Sequence, residues 1–381
     1  MLDWVLALVV APTWVYVVAA TIVGRRFAAP TPDPPPRAQE AGISILKPLY
    51  GAELRLFDNL RSFAEQDYAG VQIVLGVRDP EDTALPIARA LKHDLPACDI
   101  VIVVDPRVDG SNLKVSNLEN MLPAARHDIL VLADSDIRVD RRYLAAVAAP
   151  LADPRIGIVT CLYKGASDGG LWSDLGALHI NFGFLPSALL ADAMGVGRGC
   201  FGATIALRRE VLARIGGFAR LRSEMADDYR LGEAVRDAGL TVVLSPYLVW
   251  TQVAEPSFRD LWRHELRWAR TTRNLTPVGF AASIVITQPV PLAALAAVGA
   301  GFTLTSCAIL VISCLLRWLS ARAIARALGL ARPHPWLLFG RDFLSFTVYI
   351  ASFFGRSVFW RDQHFHVGPS GRMSVDGEQP L

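Results

Sequence analysis

Hydrophobic positions along this chain fall into three regimes. Residues 2–23 are apolar apart from Asp3, two threonines and a few aromatics. Residues 42–272 alternate short β-branched runs with stretches of helical periodicity. Residues 278–316 are apolar again. Roughly 20 apolar residues suffice to cross the hydrocarbon core of a bilayer. The first run therefore predicts a membrane helix. The last is long enough for two, with Pro289 and Pro291 in the first of them and Gly299 and Gly301 placed to turn a hairpin.

A cleaved signal peptide would start with positive charge and end at a small-residue site. Here Arg25 and Arg26 follow the apolar run, which predicts an uncleaved anchor whose following domain stays on the cytoplasmic side. Residues 28–37 are rich in proline and predict an extended linker. Beyond the second apolar region come Arg317, Arg322, Arg326 and Arg332, which predict a return to the cytoplasm. Residues 318–330 have an amphipathic pattern suited to a membrane surface. Residues 336–354 are apolar but interrupted by Arg341 and Asp342 and flanked by Arg356 and Arg361, so both a span and an interfacial helix fit. The expected organisation is an anchor over 1–26, a linker over 27–41, a globular domain over 42–275, a membrane region over 276–362 (hairpin, amphipathic helix, third apolar segment) and a polar tail over 363–381.

Within the middle region, strands are predicted at 43–47, 71–77, 100–104, 129–133, 156–162 and 241–244. Helices are predicted at 54–66, 83–92, 141–149, 171–190, 208–214 and 224–238. Short apolar strands separated by helices imply an α/β fold with a mostly parallel sheet flanked by helices. Ligands of such sheets sit at the carboxyl ends of the strands, so the residues just after each strand are the place to look for chemistry.

Composition sharpens this in two ways. Charged residues make up 19% of the 381, below the usual quarter of a soluble protein, and the deficit lies at the two ends. The net charge of +2 and the lack of a long Lys/Arg run argue against nucleic acid. Cys98, Cys161, Cys200, Cys307 and Cys314 form no CxxC pair and no zinc-spaced cluster, which fits reduced thiols.

The strand at 129–133 runs directly into Asp134-Ser135-Asp136. Two carboxylates two positions apart at a strand end can converge on one hard cation such as Mg²⁺ or Mn²⁺, with substrate phosphates completing its shell. That cation would offset charge on a departing nucleoside diphosphate. The competing reading is an acidic turn before the next helix. The strand at 71–77 runs into Arg78-Asp79-Pro80-Glu81-Asp82, whose acids either accept hydrogen bonds from a base or ribose or cap the following helix. Asp227-Asp228-Tyr229 opens a helical segment, where acids are stabilised by the helix dipole and could also serve as a general base. Arg263-His264-Glu265-Leu266-Arg267-Trp268 places arginine beside indole just before the membrane hairpin, suited to a diphosphate, to an apolar acceptor or to the bilayer surface. Gly197-Arg198-Gly199-Cys200-Phe201-Gly202 satisfies GxGxxG but follows a helix-like segment, and a dinucleotide loop needs a strand before it.

Together these residues resemble the ceramide glucosyltransferase family, glycosyltransferase family 21, from about residue 2 to 367. That family is marked by three spaced aspartates and a (Q/R)xxRW motif on a GT-A nucleotide-diphospho-sugar transferase fold with an N-terminal anchor and C-terminal transmembrane helices. The match runs through Ile43-Ser44-Ile45-Leu46-Lys47-Pro48-Leu49, Asp82 with Asp79 near it, Asn112-Leu113-Lys114-Val115-Ser116-Asn117-Leu118, Asp134, Asp228, and Arg267-Trp268. His264 stands where the family has Gln or Arg, with Arg263 adjacent. The stretches 132–139, 201–209 and 262–270 resemble the bacterial hopanoid-biosynthesis-associated subgroup.

The resemblance implies an inverting glycosyltransferase that moves a hexose from a UDP-sugar to a hydroxyl of a membrane lipid. In the subgroup this is N-acetylglucosamine to a hopanoid polyol, bacteriohopanetetrol; in the ceramide-specific members it is glucose to ceramide. It implies Asp228 as base, with Arg267 and Trp268 beside it as catalytic residues. It implies Lys47, Asp79, Asp82, Lys114, Asn117 and Asp134 on the nucleotide-sugar, and Asp134 and Asp136 on a divalent cation, Mg²⁺ or Mn²⁺. It further implies a multi-pass protein of the bacterial inner membrane whose catalytic domain faces the cytoplasm. A processive polysaccharide synthase shares the aspartates and xxRW but needs more spans for its channel. A non-catalytic UDP-sugar-binding membrane protein would not need the full set of acids.

Overall fold

A computed structural model describes residues 2–28, 41–197, 200–355, 357–360, 363–367 and 373–375. The proline-rich linker, Arg198 and Gly199 of the glycine-rich stretch, Arg356, Arg361 and most of the polar tail lie outside the described residues.

In chain order the elements are α1 (Leu2–Phe27), β1 (Ile43–Pro48), α2 (Leu56–Ala64), β2 (Val71–Val77), α3 (Ala84–Asp94), β3 (Asp99–Val104), α4 (Leu113–Met121), β4 (Ile129–Leu132), β5 (Ile137–Arg138), α5 (Tyr143–Ala148), β6 (Ile156–Thr160), β7 (Tyr163–Ser167), α6 (Leu171–His179) and α7 (Leu185–Ala193). They continue with β8 (Ile205–Arg208), α8 (Arg209–Arg214), α9 (Asp227–Asp237), β9 (Thr241–Leu244), β10 (Val249–Val253), α10 (Phe258–Leu275), α11 (Pro277–Thr287), α12 (Pro289–Gly299), α13 (Leu304–Leu328), α14 (Pro335–Ser352) and the hairpin strands β11 (Ser357–Trp360) and β12 (Gln363–Val367). The chain forms two compact units. One comprises Thr31–Ala166, Arg198–Gln252 and Arg372–Leu381; the other comprises Met1–Pro30, Ser167–Gly197 and Val253–Gly371.

The first unit is built on a seven-stranded sheet in the order β3-β2-β1-β4-β8-β6-β9. β1 pairs in parallel with β2 and β4, and β2 with β3, while β8 runs antiparallel between β4 and β6. Six strands thus share one direction, and their carboxyl ends lie along one edge. Each face is covered. Ile43, Ile45, Ile73 and Leu75 pack with α2 and α3 on one side, whereas Leu46, Val74, Leu130 and Leu207 pack with α4 and α9 on the other. This two-sided burial is why the strands read as continuous apolar runs instead of alternating ones.

β8 and α4 extend the elements predicted from sequence. β8 is only four residues long, and α4 is buried nearly all round, so neither leaves a clean periodic signal. α4 lies directly on β2: a Cβ on Gly76 would come within 2.2 Å of the Met121 sulfur and 2.5 Å of Asn117 Oδ1.

The second unit gathers the apolar helices. Among the described residues, two helices are long and apolar enough to cross a membrane, Ala7–Phe27 and Leu304–Leu328, and three if the bent pair α11–α12 counts as one span. The 67° bend of that pair falls at Gln288–Pro289, where proline cannot donate to the preceding turn. The chain then turns at Gly301, whose φ is 66°. α1 and α13 are joined by Trp14 Nε1 donating to Ser313 Oγ at 2.8 Å and by the Thr21–Ser320 hydroxyl pair at 2.6 Å. Polar contacts of this kind hold helices together where apolar burial gives no preference.

Two elements differ from the sequence expectation. Residues 318–330 are not a separate surface helix: α13 runs unbroken to Leu328 and is capped by Gly329 in the left-handed region. Arg317 does not mark an exit to water either. It is buried and makes a bidentate pair with Asp342 of α14 at 2.8–3.2 Å. The helix expected over 171–190 is interrupted by one π-type turn at Ile180–Phe184.

Candidate functional site

The carboxyl end of β4 delivers Asp134 and Asp136. β5 then pairs antiparallel with β10, setting Ile137 opposite Thr251. This register brings the Thr251 hydroxyl onto Asp136 Oδ2, and the Gln252 amide donates to the Asp136 carbonyl at 3.0 Å. Burial, and then the charge of Asp134, hold the Asp136 carboxyl above the usual aspartate range.

Asp134 faces Lys114 of α4. Lys114 Nζ lies 2.6 Å from Asp134 Oδ1 and 3.7 Å from Asp227 Oδ2. Burial works against the ammonium, but the charges of Asp134 and Asp227 outweigh it and hold Lys114 above the usual lysine range.

Asp228 sits in the first turn of α9. Its Oδ1 accepts from the Tyr229 amide at 2.7 Å and its Oδ2 from the Gly202 amide at 2.9 Å. Burial first, then the neighbouring Asp227 charge, push its carboxyl up to about 6, against the opposing pull of Lys114 and the two amides. A carboxylate at that value is suited to take a proton near neutral pH. A Cβ on Gly202 would stand 3.1 Å from Asp228 Oδ2 and 3.5 Å from Asp134 Oδ2, so this glycine lies between the two acids. Sequence reasoning set the glycine-rich stretch aside as a dinucleotide loop; the part it missed is Gly202 as the floor of the acidic cluster.

The other residues expected on the nucleotide side also make local contacts. Lys47 is wholly buried at the end of β1, lies 3.7 Å from the Phe63 ring centroid and donates to the Asp134 carbonyl at 2.7 Å. Burial pulls it down to about 7, against the charges of Asp136, Asp134 and Glu53. Its link to the site is thus a prop under the Asp134 backbone. Asn117 is buried and donates to the Gly76 carbonyl at 2.9 Å, fastening α4 to β2. Asp82 Oδ1 accepts from the Gly51 and Ala84 amides, both at 2.8 Å, and Asp79 Oδ1 accepts from the Glu81 amide at 2.9 Å. One oxygen of each acid is therefore engaged in the turn after β2.

Arg267 and Trp268 lie on α10 in the second unit. α10 begins at Ser257, whose hydroxyl caps the Asp260 amide at 3.2 Å. His264, one turn before Trp268, makes an edge contact with its ring at 4.4 Å between centroids. Its Nδ1 lies 2.7 Å from Glu255 Oε1. Glu255 is a partner that the sequence motif did not suggest. Glu265, next to His264, is buried and pairs with Arg341.

Among the described residues no three or more His, Cys, Asp or Glu side chains are grouped to hold a metal ion by themselves. Asp134 and Asp136 supply two hard oxygen donors with mutually repelling charge. That donor set fits Mg²⁺ or Mn²⁺ sharing its shell with substrate phosphates.

Comparison with known proteins agrees with this architecture. The profile of Glycosyl transferase family 21 matches residues 5–373. Ceramide glucosyltransferase 1 of Caenorhabditis elegans is 21% identical over 237 residues, 62% of this chain and 51% of its own. Ceramide glucosyltransferase of Komagataella phaffii is 32% identical over 112 residues, 28% of this chain and 21% of its own. The chain thus spans about half the length, 51%, of the first of these curated relatives. The mannosyltransferase PcManGT from Pyrobaculum calidifontis, solved with GDP-Man and Mn²⁺, superposes with a TM-score of 0.59 at 18% identity over 93% of this chain and 99% of that one. The likeness is one of fold, the GT-A fold. With a profile match over nearly its whole length, the chain belongs to glycosyl transferase family 21.

Proposed function

We propose that this protein transfers a hexose from a UDP-sugar to a hydroxyl of a membrane lipid with inversion at the anomeric carbon. The observation that carries the reading is the cluster of Asp134, Lys114 and Asp228 around Gly202 at the carboxyl edge of the sheet in a family 21 chain. Asp228 takes the proton of the acceptor hydroxyl as its oxygen bonds to the anomeric carbon. The bond from that carbon to the diphosphate oxygen breaks, and the diphosphate carries away the electron pair. Lys114 offers positive charge beside Asp134 for the departing diphosphate. Lys47 and Thr251 keep the two acidic residues in place from behind. The family resemblance gives Arg267 a role toward the departing diphosphate and Trp268 one toward the lipid acceptor. A divalent cation on Asp134 and Asp136 supplies further charge neutralisation when bound.

The apolar helices and the relatives named ceramide glucosyltransferases support a lipid acceptor. Those names favour glucose and ceramide; the subgroup motifs favour N-acetylglucosamine and a hopanoid polyol. Both acceptors carry a hydroxyl at the head of an apolar body. Arg25 and Arg26 in the last turn of α1 support a cytoplasmic placement of the first unit at a bacterial inner membrane.

Mass spectrometry of lipids from cells with and without the protein decides the product: glucosylceramide in one case, an N-acetylglucosaminyl hopanoid in the other. A polymeric product, or no glycolipid difference together with no UDP release in vitro, overturns the proposal. Chelation should abolish turnover and added Mn²⁺ or Mg²⁺ restore it. Full turnover after exhaustive chelation rules out the cation.

A further inference from the structure

Asn112 is wholly buried and uses both ends of its amide. Its Oδ1 caps α4, accepting from the Lys114 amide at 3.0 Å and the Val115 amide at 3.1 Å. Its Nδ2 points the other way, donating to the Glu224 carbonyl at 2.8 Å and lying 3.4 Å from Asp227 Oδ1. Its backbone amide donates to the Arg222 carbonyl at 2.7 Å. One side chain therefore joins the start of α4, which carries Lys114, to the segment that enters α9, which carries Asp227 and Asp228.

The surroundings reinforce the same junction. Arg222 pairs with Glu119 of α4 at 2.6 Å, and Gly110, at φ 83°, passes so close to the Arg222 backbone that a Cβ there would sit 2.5 Å from its carbonyl oxygen. Lys114 closes the circuit by bridging Asp134 and Asp227. A cap alone would need only Oδ1. The donation from Nδ2 has no capping purpose, and a buried amide facing two acceptors is costly to lose.

We propose that Asn112 is a positioning residue for the transfer reaction: it fixes the spacing of Asp228 from Lys114 and Asp134 by bracing α4 against the entry to α9. The proposal rests on reading Asp228 as the base. A displacement of about 1 Å at a reacting centre costs on the order of a hundredfold in rate, and Asn112 touches neither substrate nor Asp228 itself.

Asn112→Asp separates bracing from capping. Aspartate caps a helix as well as asparagine, but it cannot donate to the Glu224 carbonyl and it sets a second carboxylate beside Asp227. The full-length protein is assayed in detergent for UDP binding, thermal unfolding and release of UDP from UDP-glucose and UDP-N-acetylglucosamine with a membrane lipid extract. The expected result is a kcat lower by about a hundredfold with UDP affinity little changed; the unfolding temperature falls as well, because a buried donor is lost beside Asp227. Asn112→Asp combined with Asp227→Asn reverses donor and acceptor across the 3.4 Å contact, though it leaves the Glu224 carbonyl without its donor, and should recover part of the kcat lost in Asn112→Asp alone. Parental turnover in Asn112→Asp, or a UDP affinity that falls in parallel with kcat, overturns the positioning role. Full turnover in Asp228→Asn overturns the base assignment and this proposal with it; an inactive Asp228→Asn beside a fully active Asn112→Asp overturns the positioning role alone.

Discussion

The Gly202 amide donates to Asp228 Oδ2 at 2.9 Å, and the Cα of the same glycine faces the gap between Asp228 and Asp134. A methyl group there would lie 3.1 Å from the Asp228 oxygen, tighter than ordinary contact but short of a backbone clash. Gly202→Ala should therefore fold, since its backbone has no positive φ to strain. It should displace Asp228 by a few tenths of an ångström and reduce kcat by about ten- to a hundredfold, the scale of loss expected when a reacting group is misplaced. Steady-state kinetics beside a thermal melt check this, and parental kcat would show that the glycine is only a tight turn.

The raised value of Asp228 gives turnover a pH signature. Its carboxyl is pushed up to about 6, and only the ionised form accepts a proton. Below that value the group is protonated and turnover is lost; above it turnover rises to a plateau. The acid limb of a kcat/KM profile, which reports the free enzyme, should thus fall near 6, not near an unperturbed aspartate, and it should vanish with activity in Asp228→Asn. A flat profile between pH 5 and 7 in the presence of saturating cation would remove the group from the proton-transfer step.

Lys114 pulls in the opposite direction on the same carboxyl. Lys114→Met removes a positive charge that favours the ionised form, so the acid limb should move to higher pH while kcat at the plateau also falls. A limb that stays in place would mean that Lys114 acts on Asp134 and the diphosphate alone. The shift is measured on the full kcat/KM profile, since a single-pH assay would mix the two effects.

Much of the first unit was legible in the sequence because its strands are buried on both faces. β2 and β9 fall where their apolar runs predict them, residues 71–77 and 241–244. α4 was hidden because Leu113, Val115, Ser116, Asn117, Leu118, Asn120 and Met121 are all buried, which erases an amphipathic stripe. Its polar members are affordable inside only because each finds a partner, as Asn117 does at Gly76. Asp134 and Asp136 could be nominated from their position after a strand and Asp228 from the start of a helix, but the part played by Gly202, Thr251 and Asn112 depends on which loops meet in space. Lys47 came from the family resemblance alone, because the Phe63 ring and Asp134 carbonyl that it meets are distant in sequence. Arg317 misled for a similar reason, since its partner Asp342 lies 25 positions further on and neutralises a charge that reads as a water signal.

The Glu265–Arg341 pair makes a separable prediction about the second unit. Arg341 donates to both oxygens of Glu265 at 2.5 Å, and the two side chains are only 2% and 5% exposed. Arg341 also reaches Ser345 Oγ at 3.0 Å, so its remaining donors are partly met on its own helix. Glu265 stands on α10 between His264 and Arg267, and the pair thereby sets which side of α10 faces α14. Removing one partner leaves an uncompensated buried charge, which costs about 3–5 kcal/mol, whereas replacing both by well-packed apolar residues is often neutral or stabilising. Glu265→Met and Arg341→Met should each lower the unfolding temperature of the detergent-solubilised protein sharply, and the double variant should recover it. If the recovered double variant also regains turnover, the pair serves stability alone. If it stays slow with its unfolding temperature restored, the ionic pair holds α10 in the rotation that Arg267 and Trp268 require. Equal unfolding temperatures for the parent and both single variants would mean that neither charge is buried in solution.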